Sequence, residues 1–119
     1  MKCLVVDDSA TMRRIVSNAL KSIGHTDLLE AGDGTEALEH ADSSIDLVIT
    51  DWNMPNMGGL ELVQELRKRD ETAETPILMV TTRSIKEDIL EAAQAGVNSY
   101  IVKPFTPQTL KEKIDEVVD

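Results

Sequence analysis

The chain has 119 residues, enough for one domain, with 41% hydrophobic and 29% charged residues; that balance supports a packed core and excludes a disordered polymer. A formal charge of -10 argues against nucleic acid as a direct partner, because phosphate backbones need clustered Lys and Arg. It suits a protein that binds a cation or meets basic surfaces. The single cysteine, Cys3, allows no intrachain disulfide and reads as a buried core residue of a reducing, cytoplasmic protein. No apolar run approaches membrane-spanning length, and Met1-Lys2 leaves no room for a signal peptide, so a membrane partner is not expected.

Short β-rich runs alternate five times with helical periodicity. Strand 1 is expected over about Lys2 to Asp7. Ser9 can cap a helix burying Met12, Ile15, Val16, Ala19 and Ile23, with Gly24 placed to end it. A weaker strand follows near Asp27 to Glu30, and Asp33-Gly34 marks the entry to a short helix carrying Ala37, Leu38 and Ala41. Strand 3 spans Asp46 to Thr50. The segment Asp51 to Gly59 is a loop by composition, broken by Pro55 and Gly58-Gly59. Helix 3 presents Leu60, Val63 and Leu66, and the charge-rich stretch Glu65 to Glu71 reads as its solvated end. Pro76 precedes strand 4. Helix 4 presents Ile85, Ile89, Ala92 and Ala93 and stops at Gly96; strand 5 runs from Ser99 to Lys103. Pro107 suits the first turn of helix 5, which buries Leu110, Ile114, Val117 and Val118.

Strands alternating with helices imply right-handed βαβ units around a parallel sheet. Strands 1, 3 and 4 are continuous apolar runs, as when helices cover both faces. The expected fold is α/β: a doubly wound (βα)5 three-layer sandwich with strand order 2-1-3-4-5, flavodoxin-like, in a single domain spanning residues 1-119. Its switch point falls between strands 1 and 3.

Four apolar runs each stop at a chemically useful residue: Cys3 to Val6 at Asp7-Asp8, Leu47 to Ile49 at Thr50-Asp51, Ile77 to Val80 at Thr81-Thr82, and Tyr100 to Val102 at Lys103-Pro104. Open α/β sheets bind ligands at the carboxyl ends of their strands. Asp7, Asp8 and Asp51 would crowd negative charge there, and a divalent cation would relieve it. All-oxygen ligands without His or Cys select Mg2+, Mn2+ or Ca2+ over zinc. Asp51 stands alone at its strand end and is the candidate nucleophile for a phosphoryl group. Lys103 can pair with a phosphoryl oxygen as a point charge, and the Thr81 hydroxyl can donate to another. Lys103-Pro104 has an appreciable chance of a cis bond. Taken singly, each signal is weak: paired Asp residues usually cap a turn, and Thr81 or Lys103 could be ordinary strand-end and surface residues. Their joint placement reverses those odds. His25 and His40 read as solvated; Trp52 reads equally well as core or as partly open beside the acidic site.

Asp7-Asp8, Asp51 before the Met54-Pro55 loop, Thr81 and Lys103-Pro104-Phe105 together resemble the receiver domain of two-component response regulators. The segments Ser9 to Val16, Asp51 to Met57, Leu78 to Thr81, Ala92 to Gly96 and Val102 to Thr106 resemble the chemotaxis members of that family. The resemblance covers essentially the whole chain. It implies that Asp51 accepts phosphate from a histidine kinase. Asp7, Asp8, Asp51 and the Asn53 backbone carbonyl would hold Mg2+, with Mn2+ as the alternative. Thr81 and Lys103 would bind the phosphoryl oxygens, and Tyr100 would be the switch aromatic coupled to Thr81. It also implies slow self-dephosphorylation rather than turnover of an external substrate, hence not an enzyme. Two positions depart from the family's pattern: Gly58 stands where many relatives have Asp, and Arg83 replaces an acidic or small residue. Arg83 and Asn53 border the water approach and so bear on phosphate lifetime and on any dedicated phosphatase.

The expected output is a surface of helix 4, strand 5 and helix 5, dotted with Lys86, Lys111 and Lys113, presented by a monomer without an output domain. In the chemotaxis reading its partner is a flagellar motor switch protein. Two rivals remain: a receiver in another phosphorelay, and an aspartyl-phosphate hydrolase. Hydrolases of the haloacid dehalogenase type usually carry a second Asp two residues after the nucleophile, where this chain has Asn53.

Overall fold

The computed structural model describes residues 1–118. Ten elements alternate: β1 (Lys2–Val6), α1 (Ala10–Ser22), β2 (Asp27–Ala31), α2 (Gly34–His40), β3 (Leu47–Thr50), α3 (Gly59–Lys68), β4 (Ile77–Thr81), α4 (Lys86–Ala95), β5 (Ser99–Val102) and α5 (Pro107–Val117). All strand pairs are parallel, in the order β2-β1-β3-β4-β5, as the alternation of elements implies. β1 ends at Val6, one residue before the expected boundary, because the Asp7 carboxylate turns out to accept the Ser9 N–H at 2.9 Å.

Period-two alternation divides the central strands between two cores. Leu4, Val6, Val48 and Met79 face α2, α3 and α4, meeting Ala37, Leu62, Val63, Leu66 and Ala92. Cys3, Val5, Leu47, Ile49, Leu78 and Val80 face α1 and α5, meeting Val16, Ala19, Leu20, Leu110 and Ile114. These are the three expected layers, and Cys3 is fully buried within one of them. The caps follow from the sequence: Ser9, Asp33 and Thr106 each accept an N–H from the first turn of the helix they precede. Gly24 and Gly96 take left-handed backbone (φ 99° and 115°) just after α1 and α4.

Three expectations fail. In α1, Leu20 is fully buried and Ile15 is 47% exposed; the buried arc runs through Val16, Ala19 and Leu20, and Ile15 falls to one side, lining an apolar cavity with Met12, Pro104 and Phe105. In α4 only Ala92 is buried, while Ile85, Ile89, Leu90 and Ala93 are exposed. That helix accompanies the edge strand β5 and meets the sheet through one small side chain, so apolar spacing there does not report burial. The stretch Glu65 to Glu71 is not merely solvated. The Arg67 guanidinium donates to the carbonyls of Thr72, Ala73, Thr75 and Gly96 and to Asn98 Oδ1, at 2.7 to 3.2 Å. It staples the end of α3 to the loop before β4 and to the α4–β5 turn, and its burial depresses its pKa.

Candidate functional site

The carboxyl ends of β1, β3, β4 and β5 deliver the expected residues to one crevice. Asp7 follows β1 and is 4% exposed; Asp8 beside it is exposed. Asp51 follows β3, with its N–H bonded to the Val6 carbonyl at 3.0 Å. The three carboxylates can each offer an oxygen within 4.8 Å of the other two. Lys103, just past β5, reaches in from the far side: its Nζ lies 3.3 Å from Asp7 Oδ2 and 3.6 Å from Asp51 Oδ1. The Lys103 N–H bonds to the Thr81 carbonyl at 2.8 Å, which fixes the two strand ends side by side, and the Lys103-Pro104 bond is cis. Thr81 is buried at the end of β4, its Oγ1 accepting the Arg83 N–H at 3.3 Å. That bond uses an oxygen lone pair and leaves the hydroxyl proton free to donate.

Electrostatics mark Asp51 out among these groups. Burial pushes its carboxyl pKa up; the Trp52 N–H, donated at 2.8 Å to Oδ1, and the Lys103 ammonium pull it back, while Asp7 and Asp8 push it up again. A carboxylate so placed is short of positive charge, and the donor set is all oxygen with no His or Cys, so the residues present fit a hard divalent cation.

The loop after Asp51 is fixed by two close backbone approaches. The Gly59 N–H closes it on the Trp52 carbonyl at 2.8 Å, and a Cβ on Gly59 would stand 2.1 Å from the Asp51 carbonyl oxygen. Gly34, at the start of α2, donates to the Met57 carbonyl at 3.0 Å, and a Cβ there would meet Met57 Cγ at 2.6 Å. Asn56, in left-handed backbone (φ 65°), donates its side-chain amide to Asp33 Oδ2 at 2.7 Å. In the sequence Asp33-Gly34 signals only a helix start; no local signal shows that this start is also the anchor of the Asp51 loop. Nor does any local signal point to Arg13. It donates to the Asp7 carbonyl at 2.6 Å and pairs with Glu30 at 3.2 Å, bracing the first acidic turn from α1.

Asn53 and Arg83, expected at the rim, touch each other: Arg83 Nη2 donates to Asn53 Oδ1 at 3.0 Å. The guanidinium lies over the Trp52 ring, 4.5 Å from its centroid, and Nη1 is 3.5 Å from Asp88 Oδ2 on α4. Trp52 is core after all, 7% exposed, and meets Tyr100 edge-on at 6.5 Å. The Tyr100 hydroxyl donates to the Arg83 carbonyl at 2.8 Å. Burial raises its pKa, with Asp88 adding to the shift and Arg83 opposing it. His25 is half-buried and His40 exposed, outside this constellation.

A doubly wound sheet with clustered carboxylates at its switch point and a lysine closing the crevice is an acidic, cation-ready module at the strand ends, and the chain belongs to the response regulator receiver domain family, whose model matches residues 3–115. The chain is 54% identical over 120 residues to chemotaxis protein CheY1 of Helicobacter pylori, covering 99% of this chain and 97% of that protein. It is 50% identical to chemotaxis protein CheY of Pseudomonas aeruginosa, covering 100% and 97%. Among solved structures, the chemotaxis response regulator CheY4 of Vibrio cholerae matches with a TM-score of 0.89 at 39% identity, over 98% of each chain.

Proposed function

We propose that this chain is a chemotaxis response regulator that accepts a phosphoryl group on Asp51 from a phosphohistidine of a histidine kinase and thereby switches a surface read by a flagellar motor switch protein. The observation that carries the reading is the meeting of Asp7, Asp8 and Asp51 within 4.8 Å, with Lys103 closing on two of them. The names of the curated relatives supply the chemotaxis context. Those relatives are matched over 97% of their own length.

Asp7, Asp8, Asp51 and the Asn53 backbone carbonyl would hold Mg2+, or Mn2+ in its place. When bound, the cation supplies the positive charge that three neighbouring carboxylates and an incoming phosphoryl group require. The protein's own part is positioning. A lone pair of the Asp51 carboxylate forms an O–P bond as the P–N bond to the donor imidazole breaks, and that bonding pair returns to the imidazole nitrogen. Lys103 pairs with one phosphoryl oxygen and the Thr81 hydroxyl donates to another. Drawing Thr81 toward the phosphate moves the backbone that leads into Arg83, whose carbonyl holds Tyr100. The output surface is then α4, β5 and α5, where Ile85, Ile89 and Leu90 are exposed. Moving such a surface from rare to dominant takes about 5 kcal/mol, part of which new charge-assisted hydrogen bonds supply.

The hydrolase reading has no comparable support. Its second Asp is replaced by Asn53, whose amide oxygen is already occupied by Arg83. The test is incubation with Mg2+ and a small acyl phosphate, followed by intact-mass measurement. One added phosphoryl group on the wild type and none on Asp51→Asn is expected. An unmodified wild type under conditions where Mg2+ demonstrably binds overturns the proposal. Capture of a flagellar switch peptide by the phosphorylated form, set against capture of a histidine phosphotransfer domain, tests the chemotaxis assignment.

A further inference from the structure

Arg83 contacts Thr81, Tyr100, Asn53, Trp52 and Asp88 around Asp51. Its N–H donates to Thr81 Oγ1 and its carbonyl accepts the Tyr100 hydroxyl. Its guanidinium donates to Asn53, covers the Trp52 ring and faces Asp88 at the start of α4. The same side chain keeps its Nε buried with no hydrogen-bond acceptor among the described residues. The side chain as a whole is 37% exposed, and its Nη atoms are held by Asn53 and Asp88 with the Trp52 ring beneath. Trp52 in turn presents its ring to the edge of Tyr100. Cation on indole, indole against phenol, and phenol hydroxyl back to the Arg83 carbonyl make a closed ring of contacts spanning β3, β4 and β5.

We infer that Arg83 is a latch: by pinning Asn53, Trp52 and Asp88 with its guanidinium while its carbonyl holds the Tyr100 hydroxyl, it ties the Asp51 loop to Tyr100 and the start of α4 through contacts internal to the chain. Arg83 is a positioning residue in this scheme and touches no reacting atom. The arrangement uses what distinguishes arginine from lysine, a planar fork that can lie on an aromatic face and donate sideways at the same time. Because coupling between sites is reciprocal, loosening Tyr100 must loosen the cover over Trp52, and uncovering Trp52 must free Tyr100. The consequence for signalling rests on Asp51 being the phosphorylated residue; the latch itself does not.

The chain has one Trp and one Tyr, so both ends of the latch can be read without overlap. The full chain is labelled with 3-fluorotyrosine and studied in chelator, without acyl phosphate, by 19F NMR and by acrylamide quenching of Trp52. In Arg83→Ala the Tyr100 resonance should move toward that of a solvent-exposed tyrosine, with the outward-to-inward ratio rising about tenfold, the result of part of the lost cation–π and hydrogen-bond energy at Trp52 and Asn53 being transmitted to Tyr100. Quenching of Trp52 should rise as well. Arg83→Lys should restore part of the Trp52 protection and little of the Tyr100 position, because it keeps the charge and loses the fork. Tyr100→Phe should raise Trp52 quenching with Arg83 in place, a response that simple loss of surface packing at position 83 would not produce. Unchanged far-ultraviolet circular dichroism establishes that each variant is folded; Asp88→Asn, a milder change, should move both signals in the same direction and stands in for a variant that is not. If Arg83→Ala leaves the Tyr100 resonance where it is in the wild type, even with Trp52 more open to acrylamide, the latch is refuted. Since neither metal nor phosphoryl donor enters the experiment, that failure would leave the role of Asp51 untouched.

Discussion

Substituting Gly59 by Ala perturbs the loop that presents Asp51, and the sign of the effect is decided by one close approach. Alanine is intrinsically better than glycine in a helix by about 0.5–1 kcal/mol, and Gly59 opens α3 with no positive φ to forbid a side chain. Against that, its Cβ would stand 2.1 Å from the Asp51 carbonyl oxygen, 3.0 Å from Trp52 Cα and 3.1 Å from the Asp51 carbonyl carbon. All three obstacles are backbone, so relief requires the Asp51–Trp52 peptide to move by on the order of 1 Å, in the regime where overpacking costs about 1–3 kcal/mol or more. With the cost set at about 3 kcal/mol, the upper end of that range, because the 2.1 Å approach is to backbone, the clash wins, with a net loss of about 2 kcal/mol. At roughly 4 °C per kcal/mol for a domain this size, the melting midpoint should fall by about 8 °C. Scanning calorimetry on the metal-free protein reads this, with Gly58→Ala as the control, since a Cβ there meets only the Trp52 carbonyl, at 3.1 Å. Displacing Asp51 should also weaken Mg2+ binding in a Trp52 emission titration. A Gly59→Ala protein as stable as the wild type would show that the loop adapts freely and that glycine is not required to place Asp51.

Arg67→Ala should cost about 3 kcal/mol in urea denaturation, because it removes the charged donor shared by the carbonyls of Thr72, Ala73, Thr75 and Gly96; Arg67→Lys should recover little of it. Burial raises the Asp51 pKa above its usual 3.8, so the fold favours the protonated form: the stabilisation it gives is present in acid and lost as pH rises through the raised value. In chelator at neutral pH, Asp51→Asn should therefore be more stable than the wild type, with an advantage that shrinks as pH falls toward 3.8; an advantage that grew in acid would reverse the sign of the argument. Burial pushes the Cys3 thiol up to about 11, so a thiol reagent at pH 8 should leave the native protein unlabelled and modify it at the rate of unfolding.

The sheet, its order and the meeting of Asp7, Asp8, Asp51, Thr81 and Lys103 are legible in the sequence for one reason. Strands β1, β3 and β4 are buried on both faces and apolar up to their last residues, so the first polar residues mark the rim of the crevice; the edge strand β5, with only Ile101 buried, ends at the same rim in Lys103. Legibility fails where the deciding contact is long-range and made by a side chain with several uses. Arg67 sits in a run of charges that looks solvated, yet its donors meet acceptors up to 31 residues away. Arg83 was placed at the rim, but its seat on Trp52 depends on the height at which β3 and β4 end relative to each other. α4 misleads in the opposite direction: its apolar spacing predicts burial, and the edge position of β5 leaves Ile85, Ile89 and Leu90 to solvent. Periodicity reports what a helix could bury, and sheet topology decides whether anything is there to receive it.

In the proposed function the crevice serves to place a phosphoryl group on one oxygen-bearing side chain, that of Asp51. Borohydride reduction converts an aspartyl phosphate to homoserine, and tandem mass spectrometry of the digested protein then locates it. After treatment with acyl phosphate and Mg2+, the account predicts homoserine at position 51 and nowhere else, dependent on Mg2+ and abolished in Lys103→Met or sharply reduced. Homoserine at Asp7 or Asp8 instead, or modification that proceeds equally well in chelator, would contradict it.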